Sequence, residues 1–495
     1  MTLSRKSGIL LHPTSLPGPD GIGDLGPECY RWMDFLHGCG CSLWQILPLG
    51  PTGFGDSPYQ CFSAFAGNPY LISPTLLLEE RLLNRDDFLD RPNFPVEQVD
   101  FGAAITWKTT ILDRAFSRFK KSRSTKLHQQ YQDFCRQEAG WLDDFGLFMA
   151  IKEVHGGGSW DGWPVELRLR LPEALSKFSA ENTPVVEKHK FRQFIFFSQW
   201  QRIFEYAHAR GIQIIGDIPI FIAYDSADAW ANPELFFLGK DSRPTVVAGV
   251  PPDYFSPTGQ LWGNPLYRWS AHKRQGYAWW IKRFMSVLRT VDFARLDHFR
   301  GFAGFWEIPA GMPTAEIGRW VKGPGKNFLS AINRTLKGLP IIAEDLGLIT
   351  PDVIDLRDSF HLPGMKILQF AFGSTPEDPF LPHNYPFNCV AYTGTHDNDT
   401  TRGWYESAPE IEKDLCRRYL ASSGEHIHID MIRELWKSPA AFAISPLQDF
   451  LGLGSESRMN YPGRPAGNWS WRYLPYQLSP ELQRWVKELN FLYSR

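Results

Sequence analysis

No run of this 495-residue chain is apolar over the length of a bilayer, so nothing in it reads as a membrane-spanning helix. The apolar run nearest the N-terminus, residues 8–11, is too short for the hydrophobic core of a secretory signal, and no small-residue cleavage site follows it. Cysteine is scarce: seven residues, an odd number, scattered from Cys29 to Cys416, which argues against a disulfide framework. Cys39-Gly40-Cys41 is a close pair, but no second pair completes a zinc site, and buried free thiols are the expected state. An excess of one charge is also missing. Lys and Arg number 52 against 54 Asp and Glu, a formal net charge of -2, which removes the electrostatic case for a nucleic-acid or anionic-membrane partner. There is no internal repeat and no low-complexity tract, and the 42 Gly and 38 Pro are not periodic, which excludes a collagen-like chain and points to many shaped loops. These absences together predict a cytoplasmic globular protein.

What the chain has in plenty is aromatic surface: 19 Trp, 17 Tyr and 36 Phe. It also repeats one pattern, a short apolar run that ends in polar or acidic residues and is followed by a helical stretch. The runs are residues 8–11, 42–47, 212–215, 291–296, 339–343, 365–370, 389–392 and 441–444. Eight buried-type strands separated by helices predict an α/β fold, a (β/α)8 TIM barrel, rather than an open sheet. The whole chain, 1–495, then forms a single catalytic barrel. The gap between the second and third runs is too long for one crossover helix, so residues 75–190 are expected to form a mostly helical inserted subdomain. A second insertion, 221–280, is rich in Gly, Pro and aromatics and reads as shaped loops over a binding surface.

In such a barrel the active site lies at the C-terminal ends of the strands. Four runs place a carboxylate there: Asp217, Asp297, Glu344 and Asp397. Any one of them could be the N-cap of the following helix. Four together, two flanked by His, favour catalysis, and converging carboxylates suit a divalent metal or glycoside chemistry. Arg295 precedes Asp297 by two residues, so both side chains of the strand should face the interior, where the guanidinium would keep Asp297 ionised. Glu344 follows the apolar run Leu339-Pro340-Ile341-Ile342-Ala343, an environment that raises a carboxyl pKa. His396-Asp397-Asn398-Asp399 could hold a metal, but adjacent His and Asp on an extended segment point opposite ways and no further His cluster supplies ligands; binding sugar hydroxyls is the better use. His12 and His298 each follow a strand and fit a structural role as well as a functional one. Sugar rings pack an apolar face on aromatics, so the loop residues Tyr59, Tyr254, Phe255 and Trp262 are the informative ones. Trp200 and Trp280, inside helices, read as core.

Several of these segments resemble a known family. His12-Pro13-Thr14-Ser15-Leu16-Pro17-Gly18, Gly21-Ile22-Gly23-Asp24-Leu25-Gly26, Ser57-Pro58-Tyr59, Gly216-Asp217-Ile218-Pro219-Ile220 and the whole 248–265 loop are similar to the 4-α-glucanotransferases known as amylomaltases or disproportionating enzymes, glycoside hydrolase family 77 of the α-amylase superfamily. So are Arg295-Leu296-Asp297-His298-Phe299-Arg300-Gly301, Ala343-Glu344-Asp345-Leu346-Gly347, Gly394-Thr395-His396-Asp397-Asn398-Asp399-Thr400 and Arg458-Met459-Asn460. The resemblance implies transfer of a 1,4-α-glucan segment to the 4-hydroxyl of an acceptor by a retaining double displacement. It implies Asp297 as nucleophile, Glu344 as acid/base and Asp397 as the third carboxylate. Tyr59, Asp217, Tyr254, Phe255, Trp262, Arg295, His298, His396 and Asn460 are then the expected substrate-binding or supporting residues. It further implies maltooligosaccharides and other α-1,4-glucans as partners, no required cofactor, no metal, and no C-terminal β-sandwich domain. Tyr461 departs from the pattern, where a smaller residue such as Thr is expected. The competing readings are an α-1,4-glucan hydrolase and a non-catalytic glucan-binding protein.

Overall fold

The computed structural model describes residues 3–252, 256–464 and 466–495; Tyr254 and Phe255 lie outside the described residues. All eight apolar runs contain a strand: β1 (Lys6–Leu10), β2 (Leu43–Gln45), β3 (Gln213–Ile218), β4 (Phe293–Leu296), β5 (Ile341–Ala343), β6 (Gly364–Ile367), β7 (Cys389–Tyr392) and β8 (Phe442–Pro446). They pair in parallel in the order β6-β7-β8-β1-β2-β3-β4-β5. The Ala343 N–H donates to the Pro363 carbonyl at 2.9 Å, joining the end of β5 to the residue before β6 and bringing the sheet round to closure. The fold is therefore the expected (β/α)8 barrel.

The strands are apolar on both faces because both are covered. Leu10, Leu43, Ile215, Phe293, Ile342, Met365, Val390 and Phe442, one from each strand, form a single buried cluster inside the barrel. The next residues along, such as Ile9, Ile214, Ala294 and Ala443, pack outward into the helical layer. This two-residue alternation fixes which side chains can reach the barrel mouth. Two boundaries differ from expectation. β3 runs on to Ile218, so Asp217 sits within the strand rather than after it, its residue paired in register with Arg295 of β4. β6 stops at Ile367, where residues Leu368–Gly373 tighten into a 3-10 helix.

Between β2 and β3 the main elements are helices, including Phe101–Lys121, Thr125–Val154 and Thr183–Ala209. The last of these belongs to two surroundings. Near its start Phe191 stacks on Phe119 at 4.8 Å between ring centres, and further on Trp200 meets Trp44 of β2 at 6.0 Å. Trp200 and Trp280 are fully buried, as their helical positions suggested.

Residues 221–280 are more regular than the loops expected of them. Val246–Val250 and Gln260–Pro265 pair antiparallel, and with Gly304–Pro309 and Arg319–Lys322 they make a four-stranded antiparallel sheet. Gly304–Pro309 and Arg319–Lys322 come from beyond β4, so local sequence carries no sign of their pairing. Gly249 permits the close approach: a Cβ there would lie 2.3 Å from the Gln260 carbonyl oxygen. Among the described residues no helix is long and apolar enough to cross a membrane.

Candidate active site

The strand ends bring four carboxylates and one guanidinium together. Arg295, in β4 and buried, donates from Nη1 to Asp217 Oδ2 at 2.6 Å, and its Nη2 lies 3.0 Å from Asp297 Oδ1. The expected Arg295–Asp297 pair is present, but the shorter contact goes to Asp217. The reason is the register: Asp217 and Arg295 face each other directly across β3 and β4.

Tyr59 ties this pair to the far side of the barrel. Its hydroxyl donates to Asp217 Oδ2 at 2.7 Å, and its oxygen lies 2.9 Å from His396 Nε2. Because the phenol proton is committed to Asp217, His396 is the donor of the second bond. The same Nε2 lies 3.2 Å from Asp397 Oδ2. Adjacent His396 and Asp397 thus converge, contrary to the expectation that they diverge. The segment is not extended: Asn398 N–H bonds back to the Thr395 carbonyl, turning the chain and placing both side chains on one side. Asn398 and Asp399 serve the turn itself, Asn398 accepting from Thr395 N–H and hydroxyl and Asp399 from Thr400 N–H and Ser455.

Asn460 completes the hold on Asp397. Its side-chain amide donates to Asp397 Oδ1 at 2.7 Å and its N–H to the His396 carbonyl at 3.1 Å. Arg458, outside the expected set of site residues, donates to the Asp397 carbonyl at 2.6 Å. Trp469 was also missed; its ring lies 5.9 Å from Tyr59 and 6.0 Å from His396. No periodicity marks these residues, which reach the site from a loop that follows β8.

Glu344 follows β5. Its carboxylate accepts from His298 N–H at 2.6 Å and Leu346 N–H at 3.0 Å. His298 makes this possible by taking a left-handed backbone, φ 50°. Trp262, from strand Gln260–Pro265, stands edge-on to the His298 ring at 4.8 Å. Burial, reinforced by Arg300, lowers His298 to about 3, and burial with His396 nearby lowers His12 to about 3, so both imidazoles are neutral at physiological pH.

The carboxylates are pushed apart in acidity. Burial raises Glu344 to about 8; Arg295 and the two N–H donors oppose it and Asp297 adds to it. Burial also raises Asp297, to about 6, with Arg295 pulling it down and Asp217 and Asp397 pushing it up. Arg295 does favour the ionised form, as expected, but burial outweighs it. For Asp397 the balance is reversed: burial acts upward, and His396 and the Asn460 amide hold it far below the usual carboxylate range.

Tyr461, where a smaller residue was expected, is held between two arginines and a backbone carbonyl. Its ring lies under the Arg458 guanidinium at 4.6 Å and the Arg464 guanidinium at 4.3 Å, and its hydroxyl donates to the Ser455 carbonyl at 2.9 Å.

Comparison with known proteins agrees with this geometry. The family described as 4-alpha-glucanotransferase, glycoside hydrolase family 77, matches residues 11–477. The chain is 53% identical over 489 residues to the 4-alpha-glucanotransferase of Thermus thermophilus, covering 97% of each. It is 50% identical over 495 residues to that of Synechocystis sp., covering 99% of this chain and 98% of the relative. The solved structure of the amylomaltase from Streptococcus agalactiae in complex with acarbose matches with a TM-score of 0.96 at 40% identity, covering 99% of both chains. With a barrel whose mouth gathers four carboxylates around Arg295, and with relatives this similar along its length, the chain belongs to the 4-α-glucanotransferases of glycoside hydrolase family 77.

Proposed function

We propose that the transfer runs as a double displacement in which Asp297 is the nucleophile, Glu344 the acid and then the base, and Asp397 the carboxylate that holds sugar hydroxyls and stabilises the transition state. Asp297 attacks the anomeric carbon of a bound 1,4-α-glucan. The glycosidic C–O bond breaks and its oxygen takes the proton of Glu344, releasing the shortened glucan and leaving a β-linked glucosyl ester on Asp297. The 4-hydroxyl of an acceptor glucan or glucose then attacks that carbon, its proton passes to Glu344, and Asp297 leaves as carboxylate. The product is a new α-1,4 bond with the original configuration.

The observation that carries this reading is the placement of the two carboxylates, Asp297 3.0 Å from the Arg295 guanidinium and Glu344 buried on two backbone N–H groups, which sets their acidities apart. Between about pH 6 and about pH 8, Asp297 is mainly ionised while Glu344 keeps its proton, which is the pairing the first step needs. Arg295, Asp217, Tyr59 and His396 support the reacting groups, and Asn460 fixes Asp397. Trp262, beside His298, belongs to the 248–265 loop that would shelter the ester, so that a sugar hydroxyl rather than water reaches it. Maltooligosaccharides are the natural substrates of such a site, in a cytoplasmic enzyme. Residues 75–190 form the inserted subdomain, and no cofactor takes part.

Chromatography of maltotriose incubated alone tests the function. Glucose together with a ladder of longer maltooligosaccharides, at nearly constant reducing ends, is the expected result. Rising reducing ends without longer products would make the protein a hydrolase. No turnover at all, in folded protein, would leave only glucan binding.

A further inference from the structure

Trp469 occupies a backbone conformation that a bulky side chain rarely takes. Its φ is 65°, in the left-handed region, while its ring is 5% exposed. Such a conformation persists only where surrounding contacts enforce it, and those contacts lie at the barrel mouth. The Trp469 N–H bonds the Met459 carbonyl at 2.7 Å, next to Asn460. Asn468, one residue earlier, accepts from Tyr461 N–H at 2.9 Å and donates to the Arg464 carbonyl at 2.9 Å. The loop is thereby closed on itself, and the indole is turned against two rings that are themselves stacked, Tyr59 and His396, 5.3 Å apart and 16° from parallel. Those two rings carry the contacts that join Asp217 to Asp397: the two hydrogen bonds of the Tyr59 hydroxyl and the 3.2 Å approach of His396 Nε2 to Asp397.

We propose that Trp469 is a positioning residue of the transfer reaction. Its indole sets the planes of Tyr59 and His396, and so the direction in which Tyr59 reaches Asp217 and His396 reaches Asp397. The left-handed backbone is what turns the indole into that stack. This rests on the roles proposed above for Asp297 and Asp397.

The test compares Trp469→Gly, Trp469→Ala and Trp469→Phe with the parent enzyme and with Asp297→Asn, using maltotriose kinetics and thermal melting. Glycine tolerates the backbone and alanine does not, so the Gly variant should melt above the Ala variant. If the ring positions the site, both should nonetheless lose kcat to the same extent, about 100-fold, as expected for a misplaced catalytic constellation. KM should move much less, and Trp469→Phe should recover part of kcat. Combining Trp469→Ala with Tyr59→Phe should add little to the loss, because both act through the same bonds. A kcat that tracks the melting order, with Gly close to the parent, would overturn the proposal, as would full additivity with Tyr59→Phe. Asp297→Asn keeps the two readings apart. If it retains turnover, the assignment of the nucleophile fails; if it is inactive and the Trp469 variants keep the parent kcat, only the positioning role fails.

Discussion

Arg295 lies closer to Asp217 than to Asp297, 2.6 Å against 3.0 Å, and one guanidinium therefore serves two carboxylates. The Asp217 side chain is sealed from solvent, whereas that of Asp297 is 28% exposed. Arg295 is thus the counter-charge of a buried group and the main force lowering the pKa of a reactive one. Replacement by Gln should raise Asp297 further above about 6 and shift the acidic limb of the rate profile upward. The buried Asp217 left unpaired should also destabilise the fold by roughly 3–5 kcal/mol. Arg295→Lys keeps the charge but not the two-pronged geometry, so its limb should move less. Rate profiles of the two variants with an unchanged acidic limb would show that Arg295 does not govern the ionisation of Asp297.

The pH dependence of kcat/KM follows from the two shifted groups. Activity should rise as Asp297 ionises near pH 6 and fall as Glu344 loses its proton near pH 8, giving a bell. A maltosyl fluoride donor releases fluoride without needing a proton, so the limb near 8 should vanish from its first step. Rapid-quench measurement of that step over pH 5–9 checks this; a persisting upper limb would belong to a group other than Glu344.

The carboxylates were legible in the sequence because each follows or ends an apolar run, and a parallel barrel places such positions at one mouth. Asp297, Glu344 and Asp397 needed no more than that pattern, and Arg295 needed only the two-residue alternation of a strand. What local pattern could not supply was contact across long separations. That Arg295 faces Asp217 depends on the β3–β4 register, and the meeting of His396 with Asp397 depends on a turn where the reading assumed an extended chain. Arg458 and Trp469 reach the mouth from an irregular loop after β8 that no hydrophobic period marks; Arg458 stood in the segment Arg458-Met459-Asn460 of the resemblance without a role, and Trp469 in none. The antiparallel sheet containing Val246–Val250 was missed in part for the same reason, since two of its four strands lie beyond β4.

Glu344→Gln should be inactive yet more stable at high pH. A folded-state pKa raised to about 8 means that Glu344 favours the native state below its unfolded value and that this contribution is lost as pH rises through 8. The neutral amide has no such loss. Denaturant unfolding at pH 9 should show the variant ahead by roughly 1–3 kcal/mol, and the gap should close towards pH 4. A gap independent of pH would mean that Glu344 does not carry a shifted proton.

Tyr461 separates two effects that one substitution would confuse. Tyr461→Phe keeps the ring between Arg458 and Arg464 and removes the hydroxyl bond to Ser455, so it should cost about 1 kcal/mol of stability and leave transfer nearly unchanged. Tyr461→Thr removes the ring and both cation–π contacts, each worth about 0.5–1 kcal/mol at a partly exposed site. Arg458 then loses the surface that aligns it while it holds the Asp397 carbonyl. The expected outcome is a 3- to 10-fold fall in kcat/KM, on the order of 1 kcal/mol, with melting reduced no further than in Tyr461→Phe plus the lost ring contacts. Side-by-side kinetics on maltotriose decide the matter: equal kcat/KM for the Phe and Thr variants would show that Arg458 holds Asp397 without help from the ring at position 461.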